Sequence, residues 1–167
     1  AVAIVILAFM AQGKETVVVL VPPMLEEKTE ISSSEAGDPY KTSWGLFFAT
    51  LLGNVTPRSA EHVTENIGRY AHPAAYKTML EQVAAQVELI EQDKLTISFA
   101  PTQVFFNEAN KHVVVTGEFV IRGLRDAEKK MLRTYEIGVD VRNYRVALTS
   151  VVAYEGPWSP DRELKEE

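Results

Sequence analysis

Residues 95–154 read LTISFAPTQVFFNEANKHVVVTGEFVIRGLRDAEKKMLRTYEIGVDVRNYRVALTSVVAY, and apolar residues alternate with polar ones along four segments of this stretch. Alternation with a period of two places successive side chains on opposite faces of a strand. The stretch therefore predicts one antiparallel meander of four long strands, which supplies most of the apolar surface of the chain. The segments before it are expected to cover this sheet or to tether it.

The phase of the alternation assigns an apolar face to each predicted strand. Its members are Ile97, Phe99, Val104 and Phe106 in the first strand, Val113, Val115, Gly117, Phe119 and Ile121 in the second, Met131, Arg133, Tyr135, Ile137, Val139 and Val141 in the third, and Val146, Leu148, Ser150, Val152 and Tyr154 in the fourth. Pro101 interrupts the first strand and predicts a bulge or an edge position there. Strands longer than the usual length of about 5 or 6 residues must twist and curl, so we expect a concave side that helices can fill.

Three helices are predicted before the sheet, because Pro follows directly after Asp38, Thr56 and His72. Pro is tolerated at the first helical position, where its missing N–H would be unpaired in any case. The predicted ranges are 39–52, 57–70 and 73–92. Asp38 and Thr56 are good N-cap residues and His72 is a weaker one, while Gly53-Asn54 suits a left-handed turn at the end of the first helix.

Helices followed by a four-stranded antiparallel sheet predict the α+β class, with the three helices packed on one face of a curved sheet. The fold that best matches this order and size is the cone-like fold of the nuclear transport factor 2 class. Residues 38–156 are predicted to form the cone-like domain, and residues 157–167 a C-terminal tail. Within the tail, Trp158 is expected to pack back onto the domain, and the alternative is that it anchors a partner.

Residues 1–11 contain no polar side chain. A membrane-spanning helix needs about 20 apolar residues, so this run is interpreted as the C-terminal part of a transmembrane helix that covers residues 1–12. A signal-peptide remnant and a buried element are the alternatives. The residues predicted to be embedded in the membrane are Ala1, Val2, Ala3, Ile4, Val5, Ile6, Leu7, Ala8, Phe9 and Met10.

Residues 13–37 are predicted to form an extended segment and a linker. Five aliphatic residues in succession, stopped by Pro22-Pro23, favour a strand that needs cover. This candidate partner strand consists of Val17, Val18, Val19, Leu20 and Val21. We expect it to pair either within the chain or with another chain.

Acidic residues outnumber basic ones, with 23 Asp and Glu against 17 Lys and Arg and a formal net charge of −6 over 167 residues. The basic residues are scattered, whereas a nucleic-acid-binding face usually carries a basic stripe. We therefore expect no direct nucleic-acid binding. The absence of cysteine excludes a disulfide framework, a thiolate zinc site and a cysteine nucleophile, and it leaves the compartment open.

Three side chains of the predicted sheet are of the kind that isomerases and dehydratases with cone-like folds use: Tyr135, Asp140 and Glu118. Asp140 falls in the opposite phase from Tyr135, so the two are expected to point to different faces. Glu118, Glu136 and Asp140 share the more polar phase, which is interpreted as a solvated or partner-facing surface. No catalytic residue and no cofactor are predicted. The alternative, a small-molecule-binding or isomerase-type enzyme domain, requires a deep pocket with a buried carboxylate between sheet and helices.

The three histidines, His62, His72 and His112, are placed in a weak helix, at a helix start and in a hairpin turn. They lack the spacing of three or four residues that metal ligands on one helix show. They are interpreted as surface residues, and no metal site is predicted.

A set of apolar spacings and turn residues runs through nearly the whole chain. It comprises the apolar N-terminus with its tether, residues 40–52 running into Leu52-Gly53-Asn54-Val55-Thr56-Pro57, then Tyr70-Ala71-His72-Pro73, Tyr76, Met79 and Val115-Thr116-Gly117-Glu118. Together these features resemble the TraE family, the VirB8-like component of conjugative type IV secretion systems. The resemblance implies a single-pass bacterial inner-membrane protein with a short cytoplasmic N-terminus and a periplasmic domain of the cone-like fold. It also implies a structural assembly or scaffold subunit that forms homo-oligomers and contacts other channel subunits.

The wider VirB branch has an Asn-Pro-x-Gly turn before its last strand, which is tied to subunit contacts. This chain has Asn143-Tyr144-Arg145-Val146 at that place, and so keeps the Asn without the Pro and the Gly. The resemblance therefore implies a turn at residues 143–146, but the role of the motif in subunit contacts is not assigned to this chain.

Overall fold

The computed structural model describes residues 32, 35–123 and 128–160. They form three helices and then four strands, in the predicted order. The helices are α1 (Asp38–Gly53), α2 (Ala60–Tyr70) and α3 (Pro73–Gln92), and the strands are β1 (Thr96–Asn107), β2 (His112–Arg122), β3 (Lys129–Arg142) and β4 (Arg145–Glu155). Within this part of the chain, no helix has the length and apolar character needed to cross a membrane. The predicted membrane residues 1–10 and the candidate partner strand 17–21 lie outside the described residues.

The strands form an antiparallel sheet in the order β1-β2-β3-β4, which confirms the predicted meander and the α+β class. The helices pack on one face of the sheet, called the inner face below, and the opposite face is called the outer face. Between the layers, Tyr40, Trp44 and Phe48 of α1 are 0–2% exposed. Gly45 allows α1 to approach β2 closely, because a Cβ at this position would lie 2.4 Å from the Val113 side chain.

The start of α2 differs from the prediction. The helix begins at Ala60 rather than at residue 57, since Thr56 and Ser59 close a turn before it. Ser59 N–H donates to the Thr56 carbonyl at 3.0 Å, and Thr56 N–H donates to Ser59 Oγ at 2.9 Å. Thr56 therefore serves a turn with Ser59 and is not the N-cap residue of α2.

The caps of α1 and α3 also differ from expectation. Gly37, and not Asp38, is the N-cap residue of α1, and it makes no side-chain capping bond. His72, expected to be the weaker cap, does cap α3, where its Nδ1 accepts from the Ala74 N–H at 3.4 Å. Both helices nevertheless start within one residue of the prediction, because Pro at the first turn sets the backbone angle that a helix needs.

A bulge in β1 confirms the interruption predicted at Pro101. Pro101 pairs with Gly117 of β2 and Gln103 pairs with Thr116, so one residue, Thr102, is extra on β1. A bulge of this kind bends the strand and increases its twist, which helps to curl the sheet.

A second bulge, in β4, was not predicted. Gly138 pairs with Ser150 and Val139 pairs with Leu148, so Thr149 is extra on β4. Beyond it the two faces of β4 are exchanged relative to a strict alternation. The predicted apolar phase is therefore wrong for Ser150, Val152 and Tyr154, which lie on the outer face, while Val151 and Ala153 take the inner positions.

Asn54 ties the end of α1 to the edge of the sheet. Its backbone has φ −117° and ψ 22°, so the predicted left-handed turn at this residue is wrong. Its Nδ2 donates to the Thr50 carbonyl at 2.9 Å and to the Phe99 carbonyl at 3.1 Å, and its Oδ1 accepts from the Phe99 N–H at 3.0 Å. One side chain thus satisfies both backbone groups of Phe99, as a neighbouring strand would.

Asn54→Ala is expected to lower the free energy of unfolding by about 1–3 kcal/mol, because it leaves the partly buried Phe99 N–H and carbonyl without partners. Asn54→Asp keeps the acceptor for the Phe99 N–H and removes the donor, so an intermediate loss is expected. Urea unfolding of both variants measures the order. Equal stability of wild-type and Asn54→Ala protein would contradict the role of the side chain.

Candidate functional site

A cleft of about 410 Å³ lies between α3 and the inner face of β3 and β4. Its lining residues are Leu52, Gln82, Val83, Ala85, Gln86, Leu89, Arg133, Tyr135, Val151 and Ala153. None of these lining residues is an Asp or a Glu. The enzyme alternative required a buried carboxylate at this place, so the lining of the cleft does not favour it.

Two residues of β3 that line this cleft each carry a buried polar group without a hydrogen-bond partner among the described residues, Arg133 Nε and the Tyr135 hydroxyl. Tyr135 is 2% exposed, and burial raises the pKa of its phenol above the ordinary value, while Arg133 opposes the rise. The Arg133 guanidinium lies 4.6 Å from the ring centroid of Phe119 and 5.5 Å from that of Tyr135. Stacking on rings orients the cation and leaves its charge in place, so the cleft combines positive charge with an apolar wall.

Sequence reasoning placed Arg133 in the apolar phase of the third strand without assigning it a role. The signal was present, because a charged residue in an otherwise apolar phase indicates either a paired charge or a site. Its neighbours in that phase, Met131 and Tyr135, gave no indication of a cleft. The cleft is formed by α3, which is distant in sequence.

The three catalytic candidates of the sheet do not converge. Tyr135 lies on the inner face, whereas Glu118 and Asp140 lie on the outer face, as their phase predicted. Glu118 Oε1 is 3.9 Å from Lys130 Nζ, and Asp140 Oδ2 accepts from Arg142 Nε at 2.9 Å. Both carboxylates are therefore surface charges with basic neighbours.

Glu136, the third acidic residue of the polar phase, is fixed at the centre of the outer face. Its carboxylate accepts from the Tyr154 hydroxyl at 2.7 Å and from Asn110 Nδ2 at 3.2 Å. The adjacent Val114 is fully buried, and Val152 on the other side is 46% exposed. The outer face thus presents a held carboxylate among apolar side chains.

His112, interpreted from sequence as a surface residue, is partly buried and bonded across the outer face. Its Nε2 lies 2.8 Å from Ser150 Oγ. The two side chains meet over Gly138, where a Cβ would lie 2.4 Å from Ser150 Oγ. A hydroxyl bonded to an imidazole also begins a nucleophilic triad, but within the described part of the chain nothing hydrogen-bonds to His112 Nδ1. The orienting third member is thus missing there.

The other two histidines have separate local roles. His62 Nε2 is 3.2 Å from Asn66 Nδ2 within α2, and His72 caps α3 and lies 3.3 Å from Arg142 Nη1. Across residues 35–123 and 128–160, no group of three or more His, Cys, Asp or Glu is placed to hold a metal ion.

These features define a class of protein: an α+β domain of the cone-like type, with an amphipathic cleft on its inner side and exposed apolar side chains among charged ones on its outer sheet face. Solved structures of TraE proteins share the fold. A TraE protein in complex with 2-chloroisonicotinic acid is 11% identical over 75% of this chain and 100% of that chain, with a TM-score of 0.58. A TraE protein in complex with 2-(2-furyl)isonicotinic acid is 12% identical over 72% and 98%, with a TM-score of 0.55.

A third TraE structure, in complex with 4-(1H-pyrrol-1-yl)pyridine-2-carboxylic acid, is 11% identical over 73% of this chain and 99% of that chain, with a TM-score of 0.53. At such low identity these structures show the fold alone. The family is shown by sequence, since the family model described as TraE protein matches residues 1–152. The chain belongs to the TraE family, as its motifs predicted. No curated protein sequence matches it.

Membership of the TraE family makes this chain a component of the type IV secretion systems that carry out conjugation. The family is a structural part of these systems and is not a known enzyme family.

Proposed function

We propose that this chain is a structural assembly subunit of a conjugative type IV secretion system. In this proposal it is a single-pass inner-membrane protein with its main domain in the periplasm, it forms homo-oligomers, and it contacts other channel subunits. The observation that carries the proposal is the family match over residues 1–152. The apolar residues 1–11 support the membrane anchor, and the pairing of residues 17–21 with a partner remains part of the proposal.

The outer face of the sheet is the proposed contact surface. Leu132 and Val152 are each 46% exposed there, and their partners on β2 and β3 are Glu118 and Glu136. Exposed apolar side chains with charged neighbours are typical of protein contact surfaces.

The double substitution Leu132→Lys and Val152→Lys is expected to weaken association of the full chain by at least about tenfold, because association would then bury two added lysine charges in the interface. Conjugative transfer from donor cells that carry only this variant should fall in parallel. The matched control is Tyr76→Lys, which adds charge at an aromatic residue of α3 that is 40% exposed and does not line the cleft. Transfer that responds equally to both changes, or to neither, would place the contacts elsewhere.

A second candidate function, binding of a small aromatic carboxylate in the cleft, is favoured by the unpaired Arg133 and Tyr135 groups. In this proposal Arg133 donates to the carboxylate and the ring lies against Val83, Leu89 and Val151. The three similar TraE structures support it, since each is a complex with a pyridine carboxylic acid.

Arg133→Gln is expected to weaken binding of 2-chloroisonicotinic acid by about 10- to 100-fold, since it removes a hydrogen bond to a charged group. Calorimetric titration of the full chain measures the affinity. Arg145→Gln, at an exposed arginine outside the cleft, is the control and should bind as wild type does. Unchanged binding by Arg133→Gln would exclude this cleft as the site.

A further inference from the structure

The residues that follow β4 fold back over the outer face of the sheet. The Thr134 hydroxyl of β3 donates to the Gly156 carbonyl at 2.7 Å. Two residues further on, the Trp158 ring meets the Phe105 ring of β1 edge to face, with centroids 5.2 Å apart. The segment 156–160, called the strap below, therefore runs from β4 to the opposite edge of the sheet. Trp158 packs on the domain, as expected from sequence.

The strap lies over the part of the outer face that is closed to solvent. Val114 and Thr134 are 0% exposed and Thr116 is 5% exposed, and Val114 is not part of the core between helices and sheet. Thr134 donates its one proton to the Gly156 carbonyl, so Thr116 is the donor in the 2.9 Å bond between the two hydroxyls. Without the strap or an equivalent segment, the buried Thr134 hydroxyl would lose its acceptor, and an unpaired buried hydroxyl is costly.

A hinge joins the strap to β4. Gly156 has a φ of +101°, and a Cβ at this position would have nothing within 4 Å. Pro157 follows, and it has no N–H to hold it to the sheet. Gly156 itself is held to β3, because its N–H donates to the Leu132 carbonyl at 2.8 Å and its carbonyl accepts from the Thr134 hydroxyl. Rotation at Pro157 and Trp158 therefore redirects the strap without disturbing the four strands.

The hold of the strap on its own sheet is incomplete beyond the hinge. Trp158 contacts Phe105 through its ring, but Trp158 Nε1 is buried and has no hydrogen-bond partner among the described residues. An unmet buried donor lowers the stability of the arrangement that buries it. Beyond Gly156 the strap is therefore held by the ring contact with Phe105, which the same segment of another copy can also make.

The receiving residue lies where another molecule can reach it. Phe105 belongs to β1, an edge strand of the sheet. Pro101 and the extra residue Thr102 obstruct the addition of a further strand along that edge. A second molecule is therefore directed to the outer face, where Leu132 and Val152 remain 46% exposed beside the strap.

We propose that the strap is exchanged between two copies of this chain, so that Trp158 of one copy packs on Phe105 of the other. The proposal rests on the self-association proposed above and names its surface. Exchange keeps the contacts of each strap, because the receiving face of an identical chain is identical, and it adds contacts between the two outer faces.

Two complementary variants of the full chain, in detergent, test the exchange by analytical ultracentrifugation. Trp158→Ala removes the donated ring and Phe105→Ala removes the receiving ring. Each variant alone is expected to associate at least about 30-fold more weakly than wild type. An equimolar mixture should recover part of the association, because a mixed dimer keeps one intact pair of Trp158 and Phe105.

Thermal unfolding of each variant checks that it folds, and disulfide trapping gives a second measurement that does not depend on that result. The chain has no cysteine, so in an oxidised mixture of Trp158→Cys and Phe105→Cys chains a disulfide between the two different chains reports this pair, whereas disulfides between like chains do not. A covalent dimer of the two chains is expected. If the wild-type chain forms dimers but the mixture shows neither recovered association nor a covalent dimer, the exchange is wrong and the proposed self-association is still supported. A wild-type chain that stays monomeric at all concentrations would overturn both.

Discussion

Phe48→Ala is expected to lower the free energy of unfolding by about 3–5 kcal/mol, which is the usual cost of emptying a buried phenylalanine site. The Phe48 ring is 0% exposed and stacks on Trp44 at 5.7 Å with an interplanar angle of 27°. It also meets Tyr70 of α2 edge to face at 5.7 Å. The ring therefore joins α1 to α2, and its loss leaves a cavity that close-packed neighbours fill only in part.

A domain of ordinary stability has about 5–15 kcal/mol in total, so this loss is large enough to shift the urea midpoint clearly. Leu89→Ala on α3 is the matched control, because Leu89 is 54% exposed. A change of no more than about 0.5 kcal/mol is expected for it. Similar losses for the two variants would mean that the aromatic cluster of α1 does not hold the helical layer together.

Gly117→Ala is expected to lower the free energy of unfolding by about 3 kcal/mol, the upper end of the usual cost of overpacking. A Cβ at Gly117 would lie 2.3 Å from the Ala100 carbonyl oxygen and 2.8 Å from Phe99 Cε2. The first obstacle is backbone of β1 next to its bulge. The second is a ring that packs edge to face on Tyr135 at 5.0 Å. The carbonyl cannot move without disturbing the pairing of β1 with β2, and the ring cannot move without disturbing its packing on Tyr135.

Gly68→Ala serves as the matched control for Gly117→Ala, because the same atom is added where space allows it. The nearest atom to a Cβ at Gly68 is Tyr76 Cε2 at 3.1 Å, on a side chain that is 40% exposed and free to shift. Replacing glycine by alanine within a helix stabilises it by about 1 kcal/mol. Opposite signs of the two effects in thermal unfolding are expected. A loss at Gly68 as large as at Gly117 would indicate a general intolerance of substitution.

The local pattern of residues was sufficient for the order of helices and strands. Period two along residues 95–154 and Pro at the helix starts are properties of near neighbours, and the interruption at Pro101 acts on its own strand. The same period placed Tyr135 and Asp140 on different faces. Family membership was also readable from apolar spacing and turn residues, and the family model confirms it.

Features that join distant segments could not be predicted from local residue patterns. The bulge at Thr149 is a matter of register between β3 and β4, so the alternation of the fourth strand was continued wrongly across it. The bond between His112 and Ser150 spans 38 positions, and the clamp of Asn54 on Phe99 spans 45. Each depends on where two parts of the backbone meet after folding.

The cleft and the strap also combine residues that are visible in the sequence with positions that depend on the tertiary structure. An arginine in an apolar phase is visible in the sequence, but it lines a cleft only because α3 lies opposite and leaves space above Arg133. Trp158 is visible as an aromatic residue in a polar tail, but its position on Phe105 requires that the sheet bring β1 and β4 to opposite edges of one face. The period of the apolar residues and the Pro and Gly residues at the ends of elements are short-range properties, so they act on a strand or helix wherever it lies in the fold. Sites arise from packing between elements, which only the folded chain specifies.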